Sequence, residues 1–216
     1  MNPTFYPDFE VLDEQSKWDA DTRDVVLARL EPPAEPRVLN AREVAVLRAL
    51  VARLLEEERP ELLDFIVGHI DGLLDQSPGE AQRKPDVPKQ ADLIRRGLAA
   101  LDGAAGLAHQ RPYAECEPRA QFQLAAALQN GGLILPEEWR DLPQGAFFKK
   151  VLSQAVDALA SHPRIWLEMG YAGPAYPRGY YRIKKGLRDP WEARTNSRPP
   201  GAAQPGNDGG HSDGQA

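Results

Sequence analysis

The chain predicts an all-α fold, and three observations carry that reading. Apolar residues recur every three or four positions over several long stretches, and Asn, Pro and Gly stand where such stretches begin and end. No segment alternates apolar and polar residues long enough to argue a strand. The expected architecture is a compact bundle of about five helices within residues 38–161, inside a domain that runs from 38 to 185. An aromatic arm, residues 1–37, precedes it, and residues 186–216 read as a disordered tail.

The arm carries Phe5, Tyr6, Phe9 and Trp18 ahead of a short helical run from Thr22 to Leu30, which Pro32, Pro33 and Pro36 stop. It reads as a strap across a partner or across its own domain. Asn40 caps the first bundle helix, with Glu43 at the capping-box position and Val44, Leu47, Val51 and Leu54 on one face. Pro60 opens the second helix, whose apolar face is Leu63, Ile66, Val67, Ile70 and Leu74. Gly68 and Gly72 in it each cost roughly 1 kcal/mol relative to Ala, which suggests close packing against a neighbour.

After a polar linker from Gln76 to Pro88, a third helix is expected over Gln90 to Leu101, with Gly103 near its end. A fourth spans Arg119 to Gln129 and stops at Asn130-Gly131-Gly132. The fifth, Gln144 to Ala160, is the most apolar, with Phe147, Phe148, Val151, Leu152, Ala155, Val156 and Leu159. It breaks at Ser161-His162-Pro163. Beyond it, Trp166, Gly170, Tyr171, Gly173, Pro174, Tyr176, Pro177, Arg178, Gly179, Tyr180 and Tyr181 follow neither helical nor strand spacing. Proline fixes φ, glycine permits close backbone approach, and Tyr and Trp offer contact area with a polar tip, so this segment reads as a docking surface or a packed cap.

Composition narrows the function. Of 216 residues 26 are basic and 32 acidic, a net charge of −6, which argues against a nucleic-acid binder, since phosphate recognition needs a concentrated basic face. Basic residues gather between Arg178 and Arg198, where a solvated tail is the plain reading. Met1 to Asp8 holds no basic region followed by an apolar core, and no apolar run is long enough to span a bilayer, so the chain as written is expected to be cytoplasmic. From Arg194 onward Pro, Gly, Asp and Gln leave too little apolar surface to offset ordering.

A search for catalytic chemistry finds little. Gly97, Gly103 and Gly106 lack the spacing and the preceding strand of a dinucleotide or phosphate loop, so no flavin or nicotinamide site is expected in this chain. Cys116 is the only cysteine, which rules out an internal disulfide and covalent haem attachment. It reads as structural. His69, His109, His162 and His211 lack companions at zinc-ligand spacing, so no metal site is expected. His162, closing the fifth helix before Pro163, reads as a cap whose cationic ring would suit the negative end of the helix dipole.

Together, the helix Leu39 to Leu50, the Ala146-Phe147-Phe148 helix, and the run from His162-Pro163 to Gly173-Pro174-Ala175-Tyr176-Pro177-Arg178-Gly179-Tyr180 resemble the gluconate 2-dehydrogenase subunit 3 family over residues 38–183. The resemblance implies a small, cofactor-free, non-catalytic helical subunit. Its implied partner is a large FAD-dependent subunit of the glucose-methanol-choline (GMC) oxidoreductase type, often with a cytochrome c subunit as electron acceptor. Family members of this kind are thought to help the large subunit mature, stay soluble or leave the cytoplasm. Many relatives begin with a twin-arginine export signal that this chain lacks, so a periplasmic place would require co-export. Many also have a Gly- and Asn-rich stretch where this chain has Arg164 to Met169, and the gluconate of the name is not carried over.

The expected partner-binding residues are Trp18 in the arm, Phe147 in the fifth helix, and His162, Pro163, Trp166, Tyr171, Gly173, Pro174, Tyr176, Pro177, Arg178, Gly179 and Tyr180 after it. Trp166 stands close enough to the bundle to fold back onto it instead. Two rival readings are a freestanding helical enzyme using His162 with Glu168, and a general protein-interaction module.

Overall fold

Periodic apolar faces become one continuous core in the computed structural model, which describes residues 6, 9–76, 84–133, 137–182, 184 and 187–194. The helices are α1 (Ala20–Ala28), α2 (Ala41–Leu55), α3 (Pro60–Gln76), α4 (Gln90–His109), α5 (Pro118–Gln129), α6 (Gln144–Ser161) and α7 (Pro163–Met169), and no strand occurs among the described residues. Helices α2 to α6 form the expected bundle. Helix α2 lies at its centre, touching α3, α4, α5 and α6, and its Leu47, Leu50 and Val51 are fully buried.

The capping box at Asn40 forms as the sequence predicts. Asn40 Oδ1 accepts from the Arg42 and Glu43 N–H groups at 3.0 Å, and the Glu43 carboxylate accepts from the Asn40 N–H at 2.8 Å. In α3 the predicted apolar face is buried as a set. Its glycines differ: a Cβ on Gly68 would strike Pro33 of the arm at 2.6 Å, whereas one on Gly72 would meet open space.

Helix α4 runs eight residues past the expected end, to His109. Gly103 does not stop it because Ala104 and Ala105 continue the buried stripe after Ala100 and Leu101. Gly97 lets the Phe147 ring rest on the helix backbone, where a Cβ would overlap it.

Two buried carboxylates tie the bundle at its joints. Asp71 on α3 accepts from the Arg37, Val38 and Leu39 N–H groups at 2.7, 3.1 and 2.8 Å, fixing the strand of chain that enters α2. Asp102 on α4 accepts from Arg42 Nε and the Tyr113 N–H, both at 2.6 Å. Charge-assisted bonds of this kind repay the burial of an anion that would otherwise be costly.

Outside the bundle the sequence expectations need three corrections. Helix α1 starts at Ala20, two residues early, because Asp19 caps it by accepting from the Thr22 N–H at 2.7 Å. The stretch after His162 is not irregular throughout, since Pro163 takes the first position of α7, where its missing N–H costs nothing. Residues 187–194 do not follow the tail composition. Asp189 and Ala193 are buried, and Arg188 donates to the Ala193 carbonyl at 3.2 Å. The expected disorder from 195 to 216 lies outside the described residues. No described helix is long and apolar enough to cross a membrane.

Candidate functional site

A second, smaller core sits beside the bundle on α7. Val11, Trp18 and Val26 of the arm pack there against Trp166, with Phe9, Leu12 and Leu167 around them. The arm therefore straps its own domain. A Cβ on Gly173, at φ +74°, would stand 2.8 Å from Trp18 and 3.0 Å from Val11, and Tyr6 lies as closely over Gly170, at φ +68°. These two glycines meet both demands that favour glycine, a left-handed backbone and close approach.

His162 joins the two cores. Its N–H donates to the Leu159 carbonyl at 3.1 Å to close α6, and its Nδ1 accepts from the Arg164 N–H at 3.2 Å to open α7. The ring is 4% exposed and meets Phe65 edge-on at 4.8 Å. Burial above all, then the nearby Arg164 and Arg59 guanidinium groups, lowers its pKa to about 4. The expectation of a cationic ring at the α6 dipole is thus corrected: the ring is neutral, because burial removes solvent and its charged neighbours are mostly cations. It is a cap in its neutral form, for α7.

Trp166 folds back onto the protein's own core. It is 4% exposed, its Nε1 donates to the Ala160 carbonyl at 2.7 Å, and Tyr171 meets its ring edge-on at 5.3 Å. Of the other residues expected to touch a partner, Trp18, Phe147, Pro163 and Gly173 are also buried. Phe147 lies in the main core against Gly97 and Trp139, away from any surface. Residues buried to this degree offer almost no face to a partner on the folded subunit.

Arg178 is an internal pin. Its side chain, 6% exposed, donates to Glu14 at 3.1 Å and to the Ala172 carbonyl at 2.8 Å, and its guanidinium lies 4.8 Å from the Trp191 ring centre. Asp189 accepts from the Tyr181 N–H at 3.0 Å, and the Tyr181 ring meets Trp191 edge-on at 5.2 Å. The Tyr176-Pro177 peptide is cis. Between these pins the backbone presents Tyr171, Tyr176 and Tyr180 to solvent, as the sequence suggests, together with Pro177 and Gly179.

Met169 and Tyr181, inside the segment read as a docking surface, are exposed as well; sequence reasoning missed exposed Leu187 after it, and the pins Glu14, Asp189 and Trp191. Tyr181 carried the signal already used for its neighbours. The pins carried none, since Glu14 meets Arg178 across 164 positions of chain.

The rival catalytic pair is occupied with structure. Glu168 pairs with Arg59, which also binds Glu57 at 2.7 Å and so links the α2–α3 turn to α7. The hydrogen bonds from Arg59 hold the Glu57 carboxyl below its usual range, and the His162 Nδ1 is already an acceptor. Cys116 is buried, its thiol pushed up by burial and donating to the Pro112 carbonyl at 3.4 Å. Among the described residues no group of three or more His, Cys, Asp or Glu side chains could hold a metal ion.

No curated protein and no solved structure matches this chain. Residues 41–173 match the family described as Gluconate 2-dehydrogenase subunit 3, a span that takes in α2 to α7 and ends where Trp18 covers Gly173. With well over half its length matched, the chain belongs to the gluconate 2-dehydrogenase subunit 3 family.

Proposed function

We propose that this chain is a non-catalytic accessory subunit that binds an FAD-dependent large subunit of the GMC type and supports its maturation or stability. Membership in the subunit 3 family supports a place in a dehydrogenase complex. The observation that carries the docking role is the run of exposed Met169, Tyr171, Tyr176, Tyr180, Tyr181 and Leu187 along a backbone that Arg178 and Asp189 brace by internal hydrogen bonds. Large apolar side chains gathered on a braced, irregular backbone suit a partner's surface, because their contact area comes at little cost in ordering.

In this reading the flavin and the redox chemistry reside in the partner, with a cytochrome c subunit as the onward acceptor, and assembly takes place in the cytoplasm. Co-expression of the tagged chain with the large flavoprotein subunit of its own complex tests it. The wild-type chain should capture a yellow partner, while the chain purified alone should show no flavin absorbance. Tyr176→Ala and Tyr180→Ala should each weaken capture by about 2 kcal/mol, roughly thirtyfold. Capture that is absent, or unchanged in both variants, would refute the docking role.

A further inference from the structure

We infer that the exposed tyrosine band docks by charge as well as by area, and that the partner surface it meets is a carboxylate-rich protein face. This rests on the docking role proposed above and names the chemistry of the surface opposite. Residues 1–170 hold 19 basic and 28 acidic side chains, net −9, whereas residues 171–194 hold six basic and two acidic, net +4. The basic run that reads as a solvated tail in the sequence is therefore continuous with the tyrosine band.

Folding sharpens this asymmetry. Both acids of the segment are turned to internal use: Asp189 is buried and accepts from the Tyr181 N–H, and Glu192 accepts from the Asp189 N–H. Glu14, an acid the arm brings to the lobe, is taken by Lys17 at 2.7 Å and Arg178 at 3.1 Å. Arg182, Lys184, Arg188 and Arg194 remain exposed, and among the described residues none of them is paired with a carboxylate. Arg182 and Arg188 spend one N–H each on the carbonyls of Arg188 and Ala193, which braces the lobe and leaves their charge uncompensated.

A local positive face on a negative protein selects among partners. An extended polyanion such as a nucleic acid, or an anionic bilayer, would meet the field of the net −9 of residues 1–170 as well as the patch, whereas an acidic patch on a protein meets the lobe alone. Complementary charge of this kind acts mainly on the rate of encounter and on its salt dependence.

The experiment follows association of the full-length chain with the large flavoprotein subunit at ionic strengths from about 0.05 to 0.5 M, where screening shortens to a few ångströms. Lys184→Glu/Arg194→Glu reverses two cations whose side chains make no hydrogen bond among the described residues, so the fold should be unaffected, which an unchanged melting curve checks. The wild-type rate should fall steeply with salt, and the double variant should associate roughly tenfold more slowly at low salt. The corresponding Lys184→Arg/Arg194→Lys pair should associate at the wild-type rate. A rate insensitive to salt and to charge reversal, with Tyr176→Ala still weakening capture, would overturn this inference and leave the docking role standing. Failure of the wild-type chain to bind the flavoprotein would overturn the docking role and this inference with it. Binding to duplex DNA or to phosphatidylserine vesicles as tight as to the flavoprotein would overturn the choice of a protein face.

Discussion

The bundle and the lobe beside it are held by different physics. Helices α2 to α6 share one core in which Leu47, Ile66, Ile94, Leu98, Leu101 and Phe147 are fully buried, each fixed by several neighbours. In the lobe a few large groups carry the load: Trp18 and Trp166 in its small core, Arg178 and Asp189 at its rim. A many-residue core shares the loss of one member, whereas a structure hung on few pins opens locally when one goes. The more exposed, more irregular region is also the one fit to meet a partner, because it presents side chains that the bundle has no need to bury.

The sharpest break in this contrast should come from the bundle. Phe147→Ala leaves a cavity under Gly97 and should lower global stability by about 3 to 5 kcal/mol, read as a shift in the urea midpoint. Trp166→Ala should remove about 3 kcal/mol, confined to the lobe. Hydrogen exchange should then rise across residues 11–28 while α2 to α5 stay protected. Equal loss of protection in α2 would show that lobe and bundle unfold as one unit.

Acid should act at the joint between them. The His162 ring titrates near 4 when folded, below its ordinary 6.5, so the neutral form is the one the fold favours. The stability it contributes is complete above about pH 6.5 and is lost as pH falls toward 4, about 3 kcal/mol across that window. Half-buried His69, lowered by burial and by Arg29, acts in the same direction. His162→Asn keeps a capping side chain without a titrating ring, and should flatten the dependence of the urea midpoint between pH 6.5 and 4.5. An unchanged slope would assign acid sensitivity elsewhere. The smallest stability effects belong to the exposed tyrosines: Tyr176→Ala and Tyr180→Ala should leave the unfolding free energy within about half a kcal/mol of wild type while weakening partner capture. A larger drop would mean that these rings brace the lobe.

How much was legible beforehand follows the same division. The spacing of Leu63, Ile66, Val67, Ile70 and Leu74 marks the buried face of α3 because a helix repeats every 3.6 residues, and the Asn40-Glu43 box marks where α2 begins because its partners are local. Tyr176 and Tyr180 are legible as exposed aromatics, since no periodic stripe claims them. Helix α7 was not: seven residues hold too little periodicity to be told from a loop. The capping place of His162 was legible but its neutral ring was not, and the inward roles of Trp18 and Arg178 were not, since those residue types suit an interface and a core equally well.

The sequence by itself determines the all-α class, the five bundle helices and the family, because each rests on patterns within a few turns of chain. Only the tertiary structure decides which aromatic residues face inward. Trp166 shares one small core with Trp18, 148 positions away, and Arg178 reaches Glu14 across 164. Such pairings are set by where the helices close in space and by which polar groups must be satisfied there, and no local pattern encodes them.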